Sequence, residues 1–203
     1  MTFDIADHVD AVTAMVQAAS VLALDWFRVP LEIENKGTDR RSDAQVERFD
    51  PVTKADRAVE DALRAALQDR FGDQHQILGE ERGLSGSGDY RWVIDPIDGT
   101  RAFIAGQPLW GTLLGLQRGD QVLAGWLHQP TLGHTYVASP AGAWLIEPDQ
   151  RRRLATRSTT SVEDAVLLCT HPDMFATSDE QAAFGRVDAR ARLTRYSGDC
   201  INY

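Results

Sequence analysis

An apolar run that feeds directly into two carboxylates constrains this chain more than any other feature: Trp92-Val93-Ile94-Asp95-Pro96-Ile97-Asp98-Gly99-Thr100. Trp, Val and Ile favour a strand. A strand end that delivers two hard anionic groups, with backbone N–H groups just after them, suits a divalent cation and a phosphate. Asp, Pro and Gly are equally the residues of a tight turn. On this stretch alone both readings stay open.

The 203 residues suffice for one sizeable core, or for two closely packed halves. A net charge of −9 argues against a nucleic-acid backbone as partner. The basic run Arg151-Arg152-Arg153 follows Pro148-Asp149-Gln150 and reads as a solvated turn. No apolar run approaches the roughly 20 residues of a membrane span. The start, Met1-Thr2-Phe3-Asp4-Ile5, shows no basic segment leading an apolar one. Cys169 and Cys200 lack metal-ligand spacing and fit free thiols in a reducing compartment. The expectation is a cytoplasmic protein that binds neither nucleic acid nor membrane.

Apolar residues at Ile5, Val9, Val12, Val16, Ala19 and Ala23 predict an amphipathic helix from about Asp4 to Phe27. Leu31 to Glu34 reads as a short strand, and Lys36 to Asp50 as a polar loop or weak hairpin. Thr53 to Phe71 is the clearest helix, with Gly72 where a C-terminal stop belongs. Strands are predicted at Gln76–Gly79 and Tyr90–Ile94, separated by a flexible Gly83–Gly88 linker that lacks the residues of a P-loop. Leu109–Gln117 and Val122–Leu127 form a predicted hairpin, followed by strands near Thr135–Ala138 and Ala143–Ile146. Beyond the polar stretch Pro148–Thr160 come a strand at Ala165–Cys169, a helix at Asp179–Phe184 and a strand at Arg192–Tyr196. This order implies an α+β half over residues 1–147 and the start of an α/β half over 148–203.

Three acidic motifs follow one another: Asp50-Pro51-Val52-Thr53-Lys54-Ala55-Asp56, Gly79-Glu80-Glu81, and Asp95 to Thr100. Thr53-x-x-Asp56 also has the form of a capping box, which is compatible with a chemical role because a cap fixes the carboxylate. Should Glu80, Asp95 and Asp98 meet, three carboxylates crowd one point and raise each other's pKa values unless a cation intervenes. Oxygen ligands without His or Cys favour Mg²⁺ over zinc. His8 and His75 read as surface groups, and His128 and His134 as pocket-facing residues without a third ligand.

With these motifs in order and at these spacings, the sequence resembles the inositol monophosphatase superfamily of Mg²⁺-dependent phosphomonoesterases. Asp98 to Ile104, Pro108 to Leu113, His128-Gln129-Pro130, Pro172 to Phe175 and Arg195 to Cys200 look like its histidinol-phosphate phosphatase branch. The resemblance implies a layered αβαβα sandwich and hydrolysis of L-histidinol phosphate to L-histidinol, with inositol 1-phosphate as the alternative substrate. It implies that Glu80, Asp95 and the Ile97 carbonyl hold one Mg²⁺, that Asp95 and Asp98 contribute to a second, and that the family uses two or three ions. Asp56 and Thr100 would orient a water for in-line attack, and Gly99 and Thr100 would offer backbone N–H groups to the phosphate. Arg195 and Asp199 would contact the small phosphorylated alcohol, a carboxylate at 199 suiting a cationic one. A homodimer is also implied.

The family pattern continues with a helix, a strand and an Asp-bearing motif that completes the second metal site, whereas this sequence stops at Ile201-Asn202-Tyr203. The expectation is therefore a sandwich truncated at its C-terminus, with a second metal site short of one ligand. A non-catalytic metal-binding or regulatory relative is the alternative from another class.

Overall fold

Helices form where the apolar stripes fall. The computed structural model describes residues 3–29, 34–35, 51–52 and 54–202. Among these, α1 (Val9–Val21) buries Val9, Val12, Val16 and Ala19 along one face, between short 3₁₀ turns at Ile5–Asp7 and Leu22–Asp25. Short strands β1 (Glu34–Asn35) and β2 (Pro51–Val52) pair antiparallel. Helix α2 (Lys54–Phe71) buries Ala55, Asp56, Val59, Glu60, Leu63 and Leu67. It ends where Gly72 adopts a positive φ of 68°, the conformation a helix stop requires. Leu31–Ile33, Lys36–Asp50 and the Thr53 cap lie outside the described residues.

The first compact unit, Met1–Leu154, is built on an eight-stranded sheet. Its strands are β3 (His75–Gly79), β4 (Gly83–Ser85), β5 (Tyr90–Asp98), β6 (Gly111–Arg118), β7 (Gln121–Gln129), β8 (His134–Ser139), β9 (Gly142–Glu147) and β10 (Gln150–Arg153). A short helix, α3 (Thr100–Ile104), follows β5. Spatial order is β10-β9-β8-β7-β6-β5-β3-β4, antiparallel throughout except for the parallel pair β3/β5. Helix α1 packs on β6 to β8 and α2 on β3 and β5, with the two helices side by side. Trp92, Leu114, Leu116, Trp126 and Val137 fill the core beneath them. The Trp126 indole N–H donates to Thr13 Oγ1 at 3.0 Å, satisfying a buried donor while tying β7 to α1.

Three expectations change. The Gly83–Gly88 stretch is not a linker: Gly83–Ser85 forms β4 against β3, and the chain then crosses past the start of β3. A Cβ at Gly86 or Gly88 would overlap the carbonyls of His75 and Gln74, so this crossing needs glycine. Arg151–Arg153 is not a turn but most of edge strand β10, whose exposed arginines discourage further pairing. His75 is not a surface group; it is buried among Phe3, Phe71, Tyr90 and Trp92. Its Nδ1 accepts the Trp92 indole N–H at 3.0 Å, and burial lowers its pKa, with His8 adding to the effect.

The second compact unit, Ala155–Tyr203, holds β11 (Val166–Leu168), α4 (Ser178–Asp188) and β12 (Leu193–Arg195). Strands β11 and β12 are parallel, with Leu167 opposite Thr194. Thr177 and Glu180 form a reciprocal capping box that starts α4. No residue of α4 is buried, although Phe175 stacks on Phe184 with centroids 4.8 Å apart. Cys169 and Cys200 are both buried, and neither forms a disulfide.

Candidate active site

Strand direction brings the acidic motifs together. Because β3 and β5 run parallel with Gly79 opposite Ile94, Glu80 and Asp95 emerge side by side at the carboxyl ends of neighbouring strands. Ligand sites of open sheets containing parallel strands occur at such ends. Asp95 and Asp98 would point to opposite faces of a regular strand, since side chains alternate with a period of two. The ladder is irregular here: Asp95 pairs with Leu113 but Asp98 with Gly111, so three steps along β5 match two along β6. This bulge, centred on Pro96 and Ile97, re-aims the second carboxylate. Thr112 Oγ1 donates to the Pro96 carbonyl at 2.7 Å and pins the bulge from the neighbouring strand.

After the bulge Gly99 sits in the left-handed region (φ 87°) as the cap before α3. Thr100 Oγ1 donates to the Ile97 carbonyl at 3.0 Å, leaving that oxygen a second lone pair. Phe103 and Trp110 pack edge to face, centroids 4.8 Å apart, with Phe27 against both. This aromatic cluster anchors α3 to the unit.

Asp56 lies buried in the first turn of α2, Asp95 and Asp98 are half-buried, and Glu80 reaches solvent. The Asp95 carboxyl is pushed up to about 7, first by burial and then by Asp98, Glu80 and Asp56, against a hydrogen bond from the Ile97 backbone that lowers it. Asp98, Glu80 and Asp56 therefore each act electrostatically on Asp95. Among the described residues, however, no three His, Cys, Asp or Glu side chains are gathered closely enough to hold a metal ion as they stand. The donor set still fits a hard divalent cation: every group is oxygen, and the raised Asp95 value reports burial first and then neighbouring negative charge, which a cation would offset.

Two other expected site residues lie in the second unit. Arg195, in β12, is exposed and donates to the Thr194 carbonyl at 3.0 Å, while Asp199 is half-buried just before the 3₁₀ turn Cys200–Asn202. His128 is buried on β7, with its Nδ1 2.9 Å from Thr135 Oγ1; burial holds its pKa down at about 4, so the ring is neutral. His134, half-buried, stands 3.7 Å from Glu147.

Sequence reading missed Glu60. Its signal was an acidic residue on the apolar stripe Val59, Leu63, Leu67, a place where charge survives only if paired.

Comparison with known proteins gives the family and the fold. The model of the inositol monophosphatase family matches residues 6–198, and the chain belongs to that family. It is 30% identical over 193 residues to a chloroplastic bifunctional phosphatase of Arabidopsis thaliana, covering 94% of this chain and 51% of that one. It is 32% identical over 193 residues to a histidinol-phosphatase of Chlorobaculum parvum, covering 93% and 68% respectively. The solved inositol monophosphatase from Zymomonas mobilis matches with a TM-score of 0.78 at 30% identity, over 100% of this chain and 73% of that one. The chain thus spans about half to two thirds of the length of these two curated relatives. Its fold is the mixed sheet flanked by helices of the family's αβαβα class. No helix among the described residues is long and apolar enough to cross a membrane.

Proposed function

We propose that this protein is a Mg²⁺-dependent phosphomonoester hydrolase whose substrate is L-histidinol phosphate. The observation that carries the reading is the Asp95 cluster: a half-buried carboxyl raised to about 7 beside Asp98, Glu80 and Asp56, at the carboxyl ends of β3 and β5. In this reading Glu80, Asp95, Asp98 and the Ile97 carbonyl hold the ions. Bound there, Mg²⁺ would activate a water and neutralise charge developing on the phosphate oxygens. Asp56 and Thr100 orient the attacking water, and the bulge keeps Asp95 and Asp98 on one side of the strand. The N–H groups of Gly99 and Thr100 face the phosphate at the start of α3. Hydrolysis by direct attack of water needs no covalent enzyme intermediate.

The substrate assignment is supported by the histidinol-phosphatase relative and by Asp199, whose carboxylate suits the ammonium group of histidinol phosphate. Arg195 joins it as a substrate contact. The likeness to the Zymomonas mobilis inositol monophosphatase favours inositol 1-phosphate as the second reading. A cytoplasmic homodimer belongs to the same proposal. Phosphate release from each ester, with Mg²⁺ and with EDTA, tests it. Faster turnover of histidinol phosphate, abolished by EDTA, is expected; preference for inositol 1-phosphate overturns the substrate. Mg²⁺ binding without turnover of either ester establishes instead a non-catalytic, metal-binding relative.

A further inference from the structure

One fully buried carboxylate has no place in the reaction above. Glu60 lies on α2, one turn after Asp56, and is 0% exposed. Its Oε2 accepts the backbone N–H of Glu81 at 2.7 Å, and its Oε1 accepts the backbone N–H of Arg82 at 3.0 Å. The same Oε1 receives Arg64 Nε, one helical turn further on, at 2.7 Å. Charge-assisted bonds from ordered donors are what allow a carboxylate to remain in such a place. Arg64 also reaches Ser85 Oγ at 2.9 Å, the Ile77 carbonyl at 3.3 Å and the Gly83 carbonyl. The pair thus fastens α2 to both β3 and β4. Gly79 completes the fit, because a Cβ there would overlap the Glu60 carboxylate.

The residues gripped in this way bracket Glu80. Gly79 on one side packs against the carboxylate, and Glu81 and Arg82 on the other are bonded to it. Arg82 is further clasped by Asp61 through two bonds of 2.9 and 2.7 Å, and Arg57 stands 3.5 Å from Glu81. A single helix therefore carries Asp56 and also holds the turn that presents Glu80 to Asp95.

We propose that Glu60 is a positioning residue for the metal site: through the Glu81 and Arg82 amides it sets where Glu80 stands relative to Asp56 and Asp95. The proposal rests on the reading of the Asp95 cluster as a cation site. Misplacing one oxygen ligand lowers ion affinity, whereas a purely structural brace lowers stability and leaves the affinity of the folded protein unchanged.

The test is Mn²⁺ titration of the metal-free full chain, followed by electron paramagnetic resonance, for wild type, Glu60→Gln and Gly79→Ala. Amide exchange at Glu81 and Arg82 is measured on the same samples. Glu60→Gln keeps the shape but weakens the acceptor, and Gly79→Ala displaces the carboxylate from the opposite side without changing charge. Expected is a Kd for Mn²⁺ raised about tenfold in each, the usual cost of losing an outer-shell partner, together with faster exchange at both amides. The Mg²⁺ concentration for half-maximal phosphate release should rise in step, with kcat at saturating Mg²⁺ within about threefold of wild type. Should one variant not fold, the other makes the same measurement. Wild-type affinity in a folded variant overturns the role of Glu60 while leaving the cation site standing. Wild-type protein that takes up no Mn²⁺ overturns the cation site, and this proposal with it.

Discussion

Among the described residues two strand pairs run parallel, and they differ in what surrounds them. β3/β5 sits inside an eight-stranded sheet with α2 across it; β11/β12 stands as a two-stranded sheet with α4, a helix that buries none of its residues. Both pairs have an acidic residue beyond a strand end, Glu80 after β3 and Asp199 after β12. At the first, neighbouring strands and the helix remove water, and the Asp95 carboxyl responds by rising to about 7. At the second, Arg195 is exposed, while Cys169, Gly198 and Cys200 just past the two strands are buried. At the first strand end desolvation and charge–charge repulsion together raise the Asp95 carboxyl, because both grow as the local dielectric falls.

Substitutions that separate the two regions sharpen this contrast. Asp98→Asn removes one charge of the cluster with little change in shape. Phosphate release should fall at least about a hundredfold, while the far-ultraviolet dichroism stays that of the wild type. Substantial remaining turnover would refute the assignment of Asp98. Leu63→Ala empties a fully buried site on α2 and should cost about 2–5 kcal/mol in urea unfolding. The matching change in the second unit, Phe184→Ala on the half-buried side of α4, should cost less than that.

His128 gives the first unit a pH dependence. Its pKa of about 4 when folded lies below the ordinary 6.5, so below pH 6.5 the unfolded chain takes up a proton that the folded one refuses. Stability is complete above pH 6.5 and declines as pH falls towards 4, by about 2 kcal/mol on reaching pH 5. Urea unfolding at pH 7.5 and pH 5 measures this, and His128→Gln should flatten the difference; an unchanged slope would show that other groups dominate. The smallest expected effect is Thr177→Ala at the capping box of α4, about 1 kcal/mol. Amide exchange should quicken in α4 and stay unchanged in α1 and α2.

Much of the molecule was legible in its sequence, for reasons that are local. The stripe Val59, Leu63, Leu67 reports a helical period directly, the apolar run Trp92–Ile94 marks a strand, and Gly72 marks a helix end by a conformation that other residues resist. Errors fell where a residue's neighbours are distant in sequence. Gly83–Gly88 looked flexible because glycine permits motion, yet Gly86 and Gly88 are needed where the chain crosses close to the backbone of β3. His75 looked exposed because nothing adjacent to it in sequence announces the ring stack of Phe3, Phe71, Tyr90 and Trp92. Glu60 escaped notice because its partners, Glu81 and Arg82, lie more than twenty residues away.

The run from Asp95 to Thr100 divides the two kinds of information most clearly. By itself the sequence determined the chemistry on offer: two carboxylates and a carbonyl at a strand end, all hard oxygen donors, followed by Gly99 where a positive φ is needed. Only the tertiary structure decided that Asp98, Glu80 and Asp56 act on Asp95. The parallel register of β3 and β5 puts Glu80 beside Asp95, the bulge opposite Leu113 and Gly111 shifts Asp98 out of the regular alternation, and α2 carries Asp56 and Glu60. Donor identity is a property of each residue; convergence belongs to strand direction and packing, which contacts distant along the chain determine.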